Sequence, residues 1–511
     1  MNIVTLLEMA ATGTPDRVAI GRDQTSGETA TGPGTGQLTY PGLLARARAG
    51  AAVLRDRQAR ALVYIGVNGS AFAEALFASA WAGIPLVPLN YRLSREQLAF
   101  LLGRQERALV VSDLDPLAGG PVLTTRQWSA LCAAPAPDVP RWADDPEATA
   151  VLLYTSGTSS APKAAILRHR HLTSYLLGSV EFGAAGEDEA MLVSVPPYHI
   201  AGVSNLLSNV FAGRRIVYLD SFTPGGWLAA VRDERVTHAL LVPTMLASIT
   251  EHLSGVPDAG TPTLKSLAYG GARMPAPVLE RAMRLFPTAG FVNAYGLTET
   301  SSTIAVLGPD DHRAAMSGDP VARARLGSVG RLLPGIEARV RASDGTAAPA
   351  GTPGDIDVRG PQVSGEYRGA RSGLDDGGWL ATRDRGWIDD DGYLFIEGRA
   401  DDTIIRGGEN VAPAEIEDVL LEHGAVAQVA VVGLPDERWG QSIAAAVVPR
   451  AGHAVDAEEL RSWARSRLRG SKTPELIVFR DTLPHTPTGK LLRREVLADL
   501  LSGRPEPSQL S

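Results

Sequence analysis

The side chains best suited to chemistry fall into five short runs spread along a chain of 511 residues. The first is Tyr154-Thr155-Ser156-Gly157-Thr158-Ser159-Ser160-Ala161-Pro162-Lys163. Small residues let backbone N–H groups approach an anion closely, hydroxyls add donors and Lys163 supplies fixed charge, so the run suits a phosphate. It is not a Walker A loop, because its glycine spacing differs and Ala164 follows the lysine. Taken alone, a Ser/Thr-rich segment is more often only a loop. The second run is Asn293-Ala294-Tyr295-Gly296-Leu297-Thr298-Glu299-Thr300. The third joins Thr382-Arg383-Asp384 to Gly398-Arg399-Ala400-Asp401-Asp402. The fourth is Gly407-Gly408-Glu409-Asn410, leading into residues 413–417, and the fifth is Pro487-Thr488-Gly489-Lys490.

These runs need elements to hold them. Residues 1–12 read as a first helix. Residues 61–67 (ALVYIGV), 85–89 and 108–111 read as buried strands, with an Ala-rich helix over 70–82 between the first two. A helix opening at Ser94, with Glu96 and Gln97 in its first turn, precedes the third strand. The alternation predicts parallel sheets covered by helices. It recurs with strands over 150–153, 239–242 and 267–269, so the phosphate-type loop leaves the end of a strand. From Gly330 the texture changes to short strands broken by Gly, Asp and Pro, including 355–358 and 393–396, with a hairpin turn at Asp391-Gly392. A second unit follows, with helix 413–423, strands 426–432 and 442–448, helix 456–468, and a loop and basic helix over 483–494. The Pro- and Ser-containing tail from Ser502 reads as disordered. The expected division is therefore residues 1–399 and 400–511, with the boundary near residues 399–402.

Composition excludes several classes. A net charge of -8 and no basic stripe argue against nucleic acid. No apolar run reaches the ~20 residues of a membrane span, and the N-terminus lacks the pattern of a secretory signal. A single cysteine, Cys132, precludes an internal disulfide and points to a reducing, cytoplasmic compartment. It reads as a small buried hydrophobe, not a catalytic thiol. The nine histidines show no metal-ligand spacing near cysteine, and Asp389-Asp390-Asp391 reads as a solvated turn.

Five runs in this order resemble the adenylate-forming enzymes: the superfamily of acyl-CoA synthetases, peptide-synthetase adenylation domains and luciferases. The resemblance extends from about Leu38 to Leu492. It is closest to the aryl- and acyl-CoA ligases, as in Asp436-Glu437-Arg438-Trp439-Gly440-Gln441-Ser442. It implies an α/β fold: a large N-terminal domain of two sheet-helix layers plus a small β-barrel, with a small mobile α+β C-terminal domain. It also implies ATP, Mg²⁺ and, as acceptor, CoA, with a small-molecule acid as substrate. Thr155, Ser156, Gly157, Thr158, Ser159 and Lys163 would cover the phosphates. Gly271, Ala272, Asn293, Ala294, Tyr295 and Gly296 would wall the adenine, with Tyr295 stacked on it. Thr298 would touch the α-phosphate, Glu299 would hold Mg²⁺, and Asp384 would take both ribose hydroxyls. Arg399 would lie near the ribose and phosphate, and Asp401 would be the hinge. Lys490 would neutralise the acid as it meets the α-phosphorus, a contact commonly worth ~3–4 kcal/mol.

Pro196-Pro197-Tyr198-His199 and Ala201-Gly202-Val203 match the acid-pocket segment of aryl and acyl ligases. There His199 is a gate or pocket wall, against an almost equal reading as a helix-start histidine satisfied by backbone. Tyr198 and the small residues Gly270, Gly271 and Ala272 suit a flat aromatic acid. Ser160, Ala164 and Arg383 stand where glycines are usual, and a side chain at a position needing positive φ costs about 1 kcal/mol. Ser471-Lys472-Thr473-Pro474 replaces the aromatic of the CoA-binding segment with serine, and Glu475 would repel the 3′-phosphate. Three acceptor chemistries follow: CoA first, then a carrier-protein thiol, then nitrite activation with an aryl amine as the trap. The sequence is compatible with a monomer or a homodimer.

Overall fold

In the strand Ala61–Ile65 every residue is buried. Leu62 and Tyr64 enter a central core, while Ala61, Val63 and Ile65 enter an outer one, as the strand period of two requires. This two-sided burial makes it the inside of a covered sheet. The computed structural model describes residues 1–21, 37–114, 122–135, 137, 140–141, 144–155, 162–407, 409–486 and 490–502. The strand lies third in a six-stranded sheet ordered Val122–Leu123, Ala108–Ser112, Ala61–Ile65, Leu86–Pro88, Thr149–Thr155, Lys163–Arg168. All its pairings are parallel except the last.

A nine-stranded sheet forms the second layer. Its parallel centre includes Ala190–Val193, His238–Leu241, Ser266–Gly270 and Gly290–Leu297. Ser302–Leu307 adds on antiparallel beside the last of these. The helices Ile3–Gly13, Tyr40–Asp56, Ser70–Ala82 and Ile200–Ala212 contribute to the central core, which draws residues from both sheets. The Ala-rich helix suits this position because small side chains permit close approach: a Cβ on Gly50 of the neighbouring helix would lie 2.8 Å from that of Ala78. Ser94 opens the helix Arg95–Leu102 with the capping box expected of it. Cys132 is buried, and burial and Glu74 push its thiol pKa upward.

The Gly- and Asp-rich region is a four-stranded antiparallel meander, Glu337–Arg341, Gly354–Arg359, Leu380–Ile388 and Leu394–Arg399, in the place of the expected small barrel. Its last turn contains Gly392 at φ 82°, and the Asp389 carboxylate accepts from Tyr393 N at 2.8 Å. After the turn Ala400–Asp402 come a hairpin (Ile404–Arg406 with Glu409–Val411), the helix Pro413–Leu421, and the paired strands Val426–Asp436 and Gly440–Pro449. These strands run longer than their apolar cores predict. The Asp436 carboxylate accepts from Arg438 N and Trp439 N, both at 2.9 Å, and closes a tight turn. Leu476–Phe479 adds parallel to the second strand. This C-terminal part has its own buried clusters on both sheet faces. Among the described residues no helix is long and apolar enough to cross a membrane. The tail beyond Ser502 lies outside the described residues.

Candidate active site

Parallel sheets present ligands at the C-terminal ends of their strands, and the first two runs lie at the ends of Thr149–Thr155 and Gly290–Leu297. Strand Thr149–Thr155 leaves the sheet and returns as Lys163–Arg168, with Thr155 opposite Lys163. Ser156, Gly157, Thr158, Ser159 and Ser160 lie outside the described residues. Ala164, where a glycine is usual, sits in regular strand pairing with Tyr154 and is absent from the positive-φ positions, so the strain expected there does not arise. Residues 364–368 pair along the returning strand: Ile166 N donates to Glu366 O at 2.9 Å, and Arg368 N to Ala164 O at 2.9 Å. This places the Tyr367 ring 5.9 Å from Lys163 Nζ. The Tyr367 hydroxyl donates to Glu299 Oε1.

Glu299 projects from the single turn Thr298–Thr300, which also carries Thr298. That turn is fastened from below. Thr300 Oγ1 accepts from Leu297 N at 2.9 Å and donates to Ser302 O at 2.8 Å. Gln362 Nε2 donates to Thr300 O at 2.9 Å and to Thr303 O at 2.8 Å. Ser301 and Ser302 take φ 54° and 106°, values that side-chain-bearing residues adopt only when the surroundings enforce them. Gly296 is needed for proximity: a Cβ there would lie 1.9 Å from Ser302 O.

Asn293 and Ala294 pair in parallel with Tyr269 and Gly270, so the proposed adenine walls, 293–296 and 271–272, stand side by side. Asn293 Nδ2 is held by Ser328 O at 3.2 Å. The Tyr295 hydroxyl donates to Asp384 Oδ2 at 2.6 Å. Arg399 Nε lies 3.1 Å from Asp384 Oδ1, and Arg399 Nη1 donates to Thr382 O at 2.9 Å. Burial raises the Asp384 pKa and Glu299 reinforces that, while Arg399, the Tyr295 hydroxyl and Lys490 oppose it. Lys490, from the far end of the chain, therefore lies within electrostatic reach of the same carboxylate. Its pKa is lowered by the protein crowded around it and by Arg399, against the pull of Asp384 and Asp402, although its side chain keeps contact with solvent. Thr486 N donates to Lys490 O at 2.7 Å, and Pro487, Thr488 and Gly489 lie outside the described residues. Arg493 clamps Glu417 at 2.6 Å and Asp402 at 3.5 Å.

His199 occupies the N-cap of the helix Ile200–Ala212 but makes no side-chain cap bond. The backbone-satisfied reading of this histidine is therefore wrong for its Nε2, which has no hydrogen-bond partner among the described residues. Burial lowers its pKa to about 4, so the ring is neutral near pH 7. It packs 4.7 Å from the Tyr198 ring. Among the described residues no hydrogen bond joins it to the Glu299–Tyr367 pair.

Tyr367 escaped sequence reasoning, because its bond to Glu299 spans 68 residues and nothing local marks it. Trp439 escaped too. It is exposed, with the Arg406 and Arg438 guanidinium carbons 5.5 and 5.1 Å from its ring centroid and Gly407 at φ 58° against it. Lys472 Nζ is engaged by Glu415 at 2.6 Å. The Glu475 carboxylate is paired with Arg406 and accepts from Ile443 N at 2.7 Å. The repulsion expected from Glu475 is thus largely compensated.

Residues 7–368 match the model of the AMP-binding enzymes, and residues 415–490 match that of the AMP-binding enzyme C-terminal domain. The chain belongs to the AMP-binding enzyme family. Feruloyl-CoA synthase from an Amycolatopsis species is 34% identical over 473 residues, 90% of this chain and 93% of the relative. The o-succinylbenzoate CoA synthetase of Bacillus subtilis, solved with its acyl-adenylate intermediate, superposes with a TM-score of 0.81 at 29% identity, covering 96% of this chain and 97% of that one. It has also been solved with ATP and a magnesium ion. The amide bond synthetase McbA of Marinactinospora thermotolerans gives a TM-score of 0.81 at 28% identity, covering 98% and 99% of the two chains.

Proposed function

We propose that this enzyme condenses a small aromatic carboxylic acid with ATP, releasing pyrophosphate, and then transfers the acyl group from AMP to the thiol of coenzyme A. The observation that carries the reading is the buried Asp384 carboxylate held by Tyr295 at 2.6 Å and Arg399 at 3.1 Å, with the charge of Lys490 bearing on it. In the first step an acid oxygen bonds to the α-phosphorus and the bond to the β-phosphate oxygen breaks. Negative charge gathers between two anions, and a preorganised cation there is worth ~3–4 kcal/mol, roughly 10²–10³ in rate. Asp384 spends one lone pair of each oxygen on Tyr295 and Arg399, which leaves one on each for the two ribose hydroxyls. Thr298 would meet the α-phosphate.

A magnesium ion fits Glu299. Oε1 is oriented by Tyr367, Oε2 makes no hydrogen bond with a described residue, and one or two carboxylates plus substrate phosphates are what this ion takes. When bound, it would neutralise charge on the transferring phosphates. In the second step the CoA sulfur attacks the acyl carbon and AMP leaves. Residues 400–511 would act as a lid that turns near Asp401, withdraws Lys490 and brings Gly407 and Trp439 to the thioester side. The neutral His199 ring with its free Nε2 would border the acid carboxylate, and Tyr198 with Gly270–Ala272 would line a flat ring. The lone cysteine suits a cytoplasmic enzyme.

A second reading, an acceptor lacking the phosphorylated nucleotide such as an amine or a carrier-protein thiol, is favoured by Ser471 and by the engagement of Lys472 with Glu415. Mass spectrometry of products from ATP and a panel of aromatic acids tests both, with CoA present or absent. The proposal expects an acyl-CoA and CoA-accelerated AMP release. Acid-dependent pyrophosphate release that CoA does not alter would favour the second reading.

A further inference from the structure

We infer that Gln105 is a positioning residue for the adenylation step, holding Arg368 so that the neighbouring Tyr367 hydroxyl stays aimed at Glu299; this rests on the adenylation reading above. Residues 364–368 run antiparallel to the strand Lys163–Arg168, with Tyr367 opposite Ala165. Side chains alternate along such a segment, so Glu366 and Arg368 leave it on the side opposite Tyr367. Tyr367 turns to Glu299, and Ser364 N donates to Glu299 O at 2.8 Å. The other side is anchored at two points. Glu366 takes both prongs of Arg168, at 2.8 and 2.6 Å. Arg368 Nη1 donates to Gln105 Oε1 at 2.8 Å.

The second anchor matters because the pairing ends there. Arg368 N makes its last cross-strand bond among the described residues, to Ala164 O at 2.9 Å, and Gly369 at φ 75° turns the chain away. Without Gln105, the Tyr367 side chain would be steadied from its N-terminal side alone. Gln105 is built for the task. It is 8% exposed, and its Nε2 donates to the Tyr154 hydroxyl at 2.8 Å and to Leu101 O at 3.3 Å. Tyr154 lies on the strand Thr149–Thr155, which pairs with the other edge of Lys163–Arg168. One buried amide therefore joins the two outer segments across the middle strand and fixes their spacing. It does so through partners 49 and 263 positions along the chain, so its role extends beyond its own helix. Groups that hold a metal-binding carboxylate from outside orient it, and their loss is felt in affinity.

The test compares the wild type, Gln105→Ala and Gln105→Glu by calorimetric binding of ATP with magnesium and of AMP, and by the rates of the two half-reactions. Loss of this anchor predicts an affinity for ATP with magnesium about 3- to 10-fold weaker in Gln105→Ala. AMP affinity should stay within about twofold of wild type, because the ribose carboxylate Asp384 shares no partner with Gln105. Pyrophosphate release should slow by a factor similar to the ATP loss, and acyl transfer from preformed acyl-AMP should not slow. Gln105→Glu keeps an acceptor for Arg368 and another for the Tyr154 hydroxyl, and should return to within about twofold of wild type. A merely structural role would weaken both nucleotides and slow both half-reactions together. That pattern, a Gln105→Ala equal to wild type, or a Gln105→Glu as impaired as Gln105→Ala overturns the inference. Failure of the wild type to bind either nucleotide overturns the adenylation reading and this one with it.

Discussion

Asp384 offers the sharpest quantitative test of the nucleotide site. The residue is 5% exposed, and its carboxylate is fixed by Tyr295 at 2.6 Å and Arg399 at 3.1 Å. Replacing it with alanine would strand both partners, and each unsatisfied buried group costs about 1–3 kcal/mol, so stability and function would fall together. Asp384→Asn keeps the shape and removes the charge and half of the acceptor capacity. A hydrogen bond to a charged group contributes about 1.5–3 kcal/mol. The KM for ATP in acid-dependent pyrophosphate release should therefore rise by about 10- to 100-fold. The control lies in the substrate: 2′,3′-dideoxy-ATP lacks both hydroxyls, so with it the two enzymes should agree within about threefold, the scatter of such comparisons. A full penalty retained with the dideoxy nucleotide would show that Asp384 does not read the ribose, and the reasoning from its free lone pairs would be wrong.

Two further outcomes follow from charges elsewhere. Arg273 forms an ion pair with Asp418 on the helix Pro413–Leu421, and burial raises the Asp418 pKa to about 6. Removing the cation with Arg273→Ala should weaken the present placement of the C-terminal part and slow single-turnover pyrophosphate release several-fold. Acyl transfer from preformed acyl-AMP should not slow, and equal slowing of both half-reactions would refute this role for the ion pair. His169 and His171 are held to about 4 by burial. The unfolded chain therefore binds more protons than the folded one between that value and the ordinary value near 6.5. The stability they confer is complete above about pH 6.5 and is lost as pH falls through 4, by up to ~3 kcal/mol each. The urea midpoint should accordingly fall between pH 7 and pH 5, and a midpoint unchanged over that range would refute the buried-neutral assignment.

Local spacing made much of this molecule legible. The apolar runs at 61–67 and 85–89, the Ser94 cap and the Asp391-Gly392 turn each carry their signal within a few residues, and each forms as read. The runs proposed to carry the chemistry are local signals of the same kind. What escaped is non-local. The strand Lys163–Arg168 owes its place to antiparallel pairing with Thr149–Thr155, and Tyr367 reaches Glu299 only because residues 364–368 run beside that strand. Ser301 and Ser302 hold positive φ through Thr300 and Gln362, a constraint invisible in a Ser-Ser pair. The reverse also occurred: alanine at 164 suggested strain that strand pairing removes, whereas arginine at 383 does take a positive φ.

The central claim is that the Lys490 ammonium neutralises charge at the meeting of acid and α-phosphorus. The rate of acid-dependent pyrophosphate release by Lys490→Ala, at saturating ATP and acid, measures this most directly. The account predicts a fall of roughly 10²–10³ with AMP affinity preserved. A variant that releases pyrophosphate at the wild-type rate would contradict it.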